Sequence, residues 1–218
     1  LTAAHCVTNG RSKIGPEEVQ VGLGKVYRDY YRQEPTAALV KVREVVVPQR
    51  YAGPVHNYDL DVALLDLATG VALSPAIRPA CLDLGGRFNL RHGVNGYMAG
   101  WGKTEIASAS EELQWARQHY IGYESCLEKV GSSNVRFLTH DKFCVIGASG
   151  SKADHGDSGG GLTFTRNGVH FVLGIVSSTF PKNDLDQPVV LFTNLANNEH
   201  RYWLIAERRR LTLRRTIY

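Results

Sequence analysis

An all-β fold, a barrel or a sandwich, is what the sequence predicts, and three observations predict it. Short runs rich in β-branched residues recur along the chain, turn signals separate them, and helical periodicity is scarce. In chain order, Val19, Val21 and Leu23 alternate with polar neighbours, as a half-buried strand should. Residues 40–47 are dense in valine and residues 62–67 form a compact apolar run, while 169–176 and 189–192 read the same way. Gly85-Gly86, Asn95-Gly96 and Asn167-Gly168 punctuate them. Two helices are expected, a short one over 125–130 and a better one over 197–210. In the second, Trp203, Leu204 and Ala206 seat one face while the arginines stay wet.

A chain of 218 residues, 43% hydrophobic, can bury one or two sizeable cores. Its formal charge of +4 is concentrated at one end: Arg208, Arg209, Arg210, Arg214 and Arg215 leave the remainder close to neutral. A nucleic-acid binder spreads its basic residues over a face with aromatics between them, so the arginines read as a solvated tail and no nucleic-acid partner is expected. No apolar run reaches the roughly 18 residues that span a bilayer, so no membrane partner is expected. The chain opens on Leu1-Thr2-Ala3-Ala4 without an initiator methionine, which suggests a piece of a longer protein. Cys6, Cys81, Cys126 and Cys144 are too widely spaced for a zinc knuckle or a Cys-x-x-Cys pair. Spacing alone leaves a Cys126–Cys144 loop and four reduced thiols equally open.

Three short motifs carry chemistry. Gly156-Asp157-Ser158-Gly159-Gly160 sets a serine among glycines that allow a tight turn and close approach to a substrate carbonyl. The Gly156 and Ser158 amides can converge there on a developing oxyanion. Leu1-Thr2-Ala3-Ala4-His5-Cys6 places a histidine after two small residues that pack closely behind it. Asp61 stands at the mouth of the apolar run Val62-Ala63-Leu64-Leu65, where a carboxylate is costly without a partner. Asp59 competes for that role.

Together with Gly100-Trp101-Gly102, these motifs resemble the trypsin/chymotrypsin serine proteases, in that family's order His, Asp, Ser. The resemblance implies two antiparallel Greek-key β-barrels, the first truncated at its N-terminus, and a C-terminal helix. The division falls at 1–75, holding the histidine and aspartate, and 76–218, holding the nucleophile, helix and basic tail. It implies a serine endopeptidase without cofactor or metal, in which Ser158 attacks, His5 carries the proton and Asp61 orients His5. Ser177 matches the serine lining the substrate strand, and Asp157 the aspartate that pairs with a freed amino terminus. Without that terminus the fragment alone is expected to be inactive.

Cys126 and Cys144 match a family disulfide, Cys6 one whose partner lies upstream, and Cys81 one that ties the domain to an upstream chain. Two other family pairs are absent: Asp154 and Asn183 replace one, Phe164 and Gly96 the other. The stretch from Gly161, with Leu191-Phe192-Thr193-Asn194, is similar to arthropod modular serine proteases of haemolymph cascades. That likeness implies a secreted multidomain zymogen of innate immunity with a protein substrate such as a downstream protease zymogen. A protease homologue acting as a non-catalytic binding partner is the alternative. A heparin-type binder using the arginines is a further one, and it would show salt-sensitive binding. For calcium, only Glu34 lies in the relevant loop, and one carboxylate is thin support.

Lys152 stands where trypsin-like enzymes carry the aspartate that binds basic side chains; a lysine that faces the pocket and one that lies on the surface with its ammonium in water are equally open. Thr179 and Val189 occupy positions often held by glycine. A small or acidic residue before the scissile bond is therefore expected. A series of peptide substrates varied at that residue checks it: kcat/KM highest for alanine, valine or aspartate is the expected result, and rapid arginine cleavage overturns it.

Overall fold

The computed structural model describes residues 1–9, 12–103, 108–148, 153, 155–180 and 188–216. The chain first lays down a three-stranded antiparallel sheet, β1 (Gln20–Leu23), β2 (Ala38–Val46) and β3 (Leu64–Leu67), in that spatial order. Val42 and Val45 of β2, brought to one face by a register shift between them, pack with Val7 and Ala63, flanked by Ile14, Val19 and Val21. A register shift after Val42 sets Glu44 opposite Asp66 on β3. Two carboxylates facing each other across a ladder repel unless cations meet them.

The second sheet is larger. It contains β4 (Cys81–Leu82), β5 (Asn95–Gly100), β6 (Gln114–Ile121), β7 (Lys142–Gly147), β8 (Gly161–Arg166), β9 (Val169–Phe180) and β10 (Val189–Asn194). The order runs β10-β7-β6-β5-β8-β9, and β9 pairs back onto β10, closing a six-stranded antiparallel barrel with β4 added in parallel at β9. Met98, Phe143, Val145, Leu162, Phe164 and Phe192 fill its interior. Gly96 and Phe164 are direct cross-strand partners, and a Cβ at Gly96 would lie 3.0 Å from the Phe164 ring. Here an aromatic ring packs directly over a glycine.

Two helices complete the chain. In α1 (Tyr123–Val130), Cys126 and Val130 face inward four residues apart, and Cys126 forms a disulfide with Cys144 on β7. The second helix, α2 (Asn198–Thr216), is longer than its sequence pattern predicts. Arg208 and Arg209 stay exposed as expected, but Arg210, Arg214 and Arg215 are engaged and not simply solvated. Leu204 and Trp203 join Ala3, Val62, Ile175 and Leu195 in a core cluster between the sheets. The next turns reach the first sheet, where Arg210 and Arg214 pair with Glu44 (2.8 and 3.3 Å) and Arg215 pairs with Asp66. Arg43 adds a contact to Asp66 at 3.5 Å. The cross-strand carboxylates thus recruit the arginines. Among the described residues, no helix is long and apolar enough to cross a membrane.

Asp66 is nearly buried, whereas its arginine partners are half exposed. Replacing both acids (Glu44→Gln with Asp66→Asn) should cost about 1–2 kcal/mol in denaturant unfolding. It should also speed amide exchange over the last two turns of α2. Alanine at the exposed Arg208 and Arg209 should do neither.

Candidate active site

The histidine motif folds as a 3-10 turn, Ala4–Val7, with Ala3 and Ala4 fully buried behind His5. Asp61 has no exposed surface. Its Oδ1 accepts from the His5 amide at 2.9 Å, and its Oδ2 accepts from His5 Nδ1 at 2.7 Å and from the Ser177 hydroxyl at 2.6 Å. The Asp61 carbonyl accepts from the buried Thr193 hydroxyl at 2.9 Å. With Nδ1 committed to Asp61, Nε2 is the ring nitrogen left to exchange a proton. Burial opposes charge on His5, but hydrogen bonds and attraction to Asp61, then to Cys6, outweigh it and raise the pKa to about 10.

Ser158 is exposed at the tip of the glycine turn. Two backbone bonds pin that turn to β9, Gly159 N–H to the Val176 carbonyl and Val176 N–H to the Gly160 carbonyl. Gly159 has φ +78° and leaves no room for a Cβ beside Thr2, so the serine and histidine motifs meet at a residue that only glycine can supply. Gly156, at φ +102°, is likewise restricted to glycine. The expected oxyanion donors, Gly156 and Ser158, therefore sit on a backbone fixed from both sides. Asp157 turns inward, and its Oδ1 accepts from the Gly102 amide at 2.9 Å. Its carboxylate leaves no space for side chains at Gly100 or Gly102, which accounts for the Gly-Trp-Gly motif.

His5, Ser158, Ser177 and Thr179 line one open cleft of about 840 Å³. Thr179 also donates to the Ala153 carbonyl at 3.1 Å. Val189, expected to narrow the slot, is buried beside Cys126, Cys144 and Leu191, in the cluster against which Phe137 and Phe180 of the cleft pack, while its neighbour Val190 takes the barrel interior. Lys152, Asp154 and Asn183 lie outside the described residues.

Asp59, the competitor of Asp61, is directed elsewhere. It lies 3.9 Å from His140 and beside Asp141, and burial together with the Asp141 charge raises its pKa. Asp141 is itself buried; burial alone would raise its pKa, but hydrogen bonds from His200 (2.8 Å) and Thr139 hold it well below the usual range. Motif reading included Thr193 but not its bond to Asp61, and it missed the aromatic wall of the cleft. There Tyr58 stands 6.2 Å from the His5 ring, with Phe137 and Phe180 beyond it. In the loop after β1, the Lys25 ammonium donates to the Arg32 carbonyl at 2.7 Å and lies 2.7 Å from Glu34. Its hydrogen bond holds the Glu34 carboxyl below its ordinary range. The loop in which Glu34 was weighed as a calcium ligand is thus centred on a lysine.

The family model described as Trypsin matches residues 1–199. The chain is similar to clotting factor C of Tachypleus tridentatus, 34% identical over 187 residues that cover 81% of this chain and 18% of that protein. It is 29% identical over 213 residues to the modular serine protease of Drosophila melanogaster, covering 91% of this chain and 32% of the relative. It is also 28% identical over 206 residues to CLIP domain-containing serine protease B4 of Anopheles gambiae, covering 90% and 56%. The chain thus spans between 18% and 56% of the length of these relatives.

Titrating the His5 ring by NMR tests the electrostatics. Asp61→Asn should bring the midpoint from about 10 down toward the ordinary 6.5, and Cys6→Ser should lower it by less. Because the folded value lies above the unfolded one, stability from the His5–Asp61 pair is fully present below pH 6.5 and fades as pH rises through about 10. The thermal midpoints of wild type and Asp61→Asn should therefore converge across that window.

Proposed function

The chain belongs to the trypsin family of serine proteases, and on that premise we propose that it is a serine endopeptidase domain working through Ser158, His5 and Asp61. The observation that carries the reading is the 2.7 Å bond from His5 Nδ1 to a fully buried Asp61, in a cleft that Ser158 shares. Ser158 Oγ attacks the scissile carbonyl, and His5 takes its proton and returns it to the leaving amine. Asp61 fixes the ring and stabilises the imidazolium, while the Gly156 and Ser158 amides receive the oxyanion. Ser177 lends Asp61 a further donor, and Thr179 borders the substrate slot.

Two further proposals concern the whole protein. The relatives are much longer than this chain and include a clotting factor and a modular protease. We therefore place the domain in a secreted zymogen of a proteolytic cascade, acting on a protein substrate such as a downstream zymogen. The Cys126–Cys144 disulfide fits an extracellular setting. The exposed Cys6 and Cys81 are available for links to upstream modules. A disulfide at Cys6 would remove its upward pull on His5 and bring the free base nearer neutral pH. Activation would draw Asp157 from the Gly102 amide to a freed amino terminus.

Fluorophosphonate labelling of the activated protease, with Ser158→Ala alongside, tests the catalytic reading. Labelling confined to the wild type, faster as pH rises and His5 loses its proton, is the expected result. A folded, activated protein that does not label would make it a binding homologue.

A further inference from the structure

Segment 57–60, immediately before Asp61, holds three non-glycine residues in the left-handed region: Asn57 (φ 53°), Tyr58 (φ 58°) and Leu60 (φ 60°). Side chains disfavour this conformation, and a run of three persists only where the surroundings impose it. Here two consecutive residues at the start of β7 impose it. Asp141 accepts from the Leu60 amide at 3.0 Å. Lys142, only 8% exposed, reaches the other side of the segment. Its ammonium donates to the carbonyls of Tyr58 (2.7 Å), Asn57 (3.1 Å) and Phe137 (3.4 Å). An ammonium has three donors, and all three are committed to backbone carbonyls.

Two of those carbonyls belong to residues of the aromatic wall, Tyr58 and Phe137, and the third to Asn57 next to Tyr58. Tyr58 and Phe137 lie 6.4 Å apart, ring to ring, and both line the cleft beside His5. A single buried cation therefore ties together two segments 80 residues apart in the chain and fixes the spacing of their rings. A neutral side chain of similar length would leave three carbonyls without a donor in a site shielded from water, and segment 57–60 could relax toward ordinary backbone angles.

We propose that Lys142 is a positioning and specificity-determining residue of the protease, its ammonium setting the Tyr58–Phe137 wall against which a bulky apolar side chain of the substrate packs. This rests on the catalytic reading above. It concerns the shape of the cleft and not the proton chemistry.

The test uses the activated full-length protease and two peptide substrates. They are identical at the scissile bond, but one carries a bulky apolar residue and the other glycine at the positions preceding the cleaved residue. Wild type should favour the bulky substrate. Lys142→Met should lower the ratio of the two kcat/KM values about tenfold or more, mainly through KM. Adding Tyr58→Ala to Lys142→Met should lower it little further, because both act on one wall. Propylammonium should restore part of the ratio in Lys142→Ala. If Lys142→Met does not fold, Lys142→Gln, which keeps a two-donor amide in the cage, should show a smaller loss of the same kind. An unchanged ratio in a variant that still labels with fluorophosphonate overturns the proposal, as does strict additivity with Tyr58→Ala. A wild type that never labels overturns the catalytic reading and this one with it.

Discussion

The Asp61 carboxylate, closed to water, accepts from the His5 amide, the His5 ring and the Ser177 hydroxyl. Burying a charge costs several kcal/mol unless donors surround it, and removing one partner of such a group costs roughly 3–5 kcal/mol. That penalty explains why residues so distant in sequence converge here. The 3-10 turn presents His5, β9 presents Ser177, and β10 sends Thr193 to the Asp61 carbonyl. The boundary between the three-stranded sheet and the barrel is thereby defined by polar contacts around one residue. The apolar cluster of Ala3, Val62, Ile175 and Leu195 seals it from behind. The cleft is the open side of that boundary.

A second set of charges is resolved at the surface. Glu44 and Asp66 face each other on neighbouring strands, and α2 brings Arg210, Arg214 and Arg215 to them. This couples the helix to the sheet from which it is most distant in sequence. Leu204 sets the position of the helix in the core, and the arginines set its direction along the sheet.

Much of this was legible in the sequence. The β-branched runs predicted β2, β9 and β10, and the motifs drew attention to His5, Asp61 and Ser158 as well as to the glycines that the turn requires. Cys126 and Cys144 pair as the resemblance implies. What escaped notice depends on contacts that leave no local signature. The arginines looked solvated because, apart from the Arg210–Glu207 pair within α2, the acids that meet Arg210, Arg214 and Arg215 lie about 150 to 170 residues earlier. Thr193 and Lys142 sit in strands whose composition says only that they are strands. Asp59 and Asp61 were told apart by the resemblance and not by local pattern; geometry supplies the physical reason, since Asp61 meets His5 and Ser177 while Asp59 faces His140 and Asp141. Val189 packs on the face of β10 opposite Val190, in the cluster that backs Phe137 and Phe180.

The loop after β1 has one more implication. The Lys25 ammonium, bonded to the Arg32 carbonyl and paired with Glu34, is a cation on a covalent leash. A dissolved ion stabilises a fold by mass action, so its effect rises and falls with concentration and with competing chelators. A tethered one has no dissociation constant and cannot be diluted away. This contact therefore needs no dissolved ion to hold the loop together. The reach of the leash, four methylenes from a fixed backbone, also limits how far the loop can open while the contact survives.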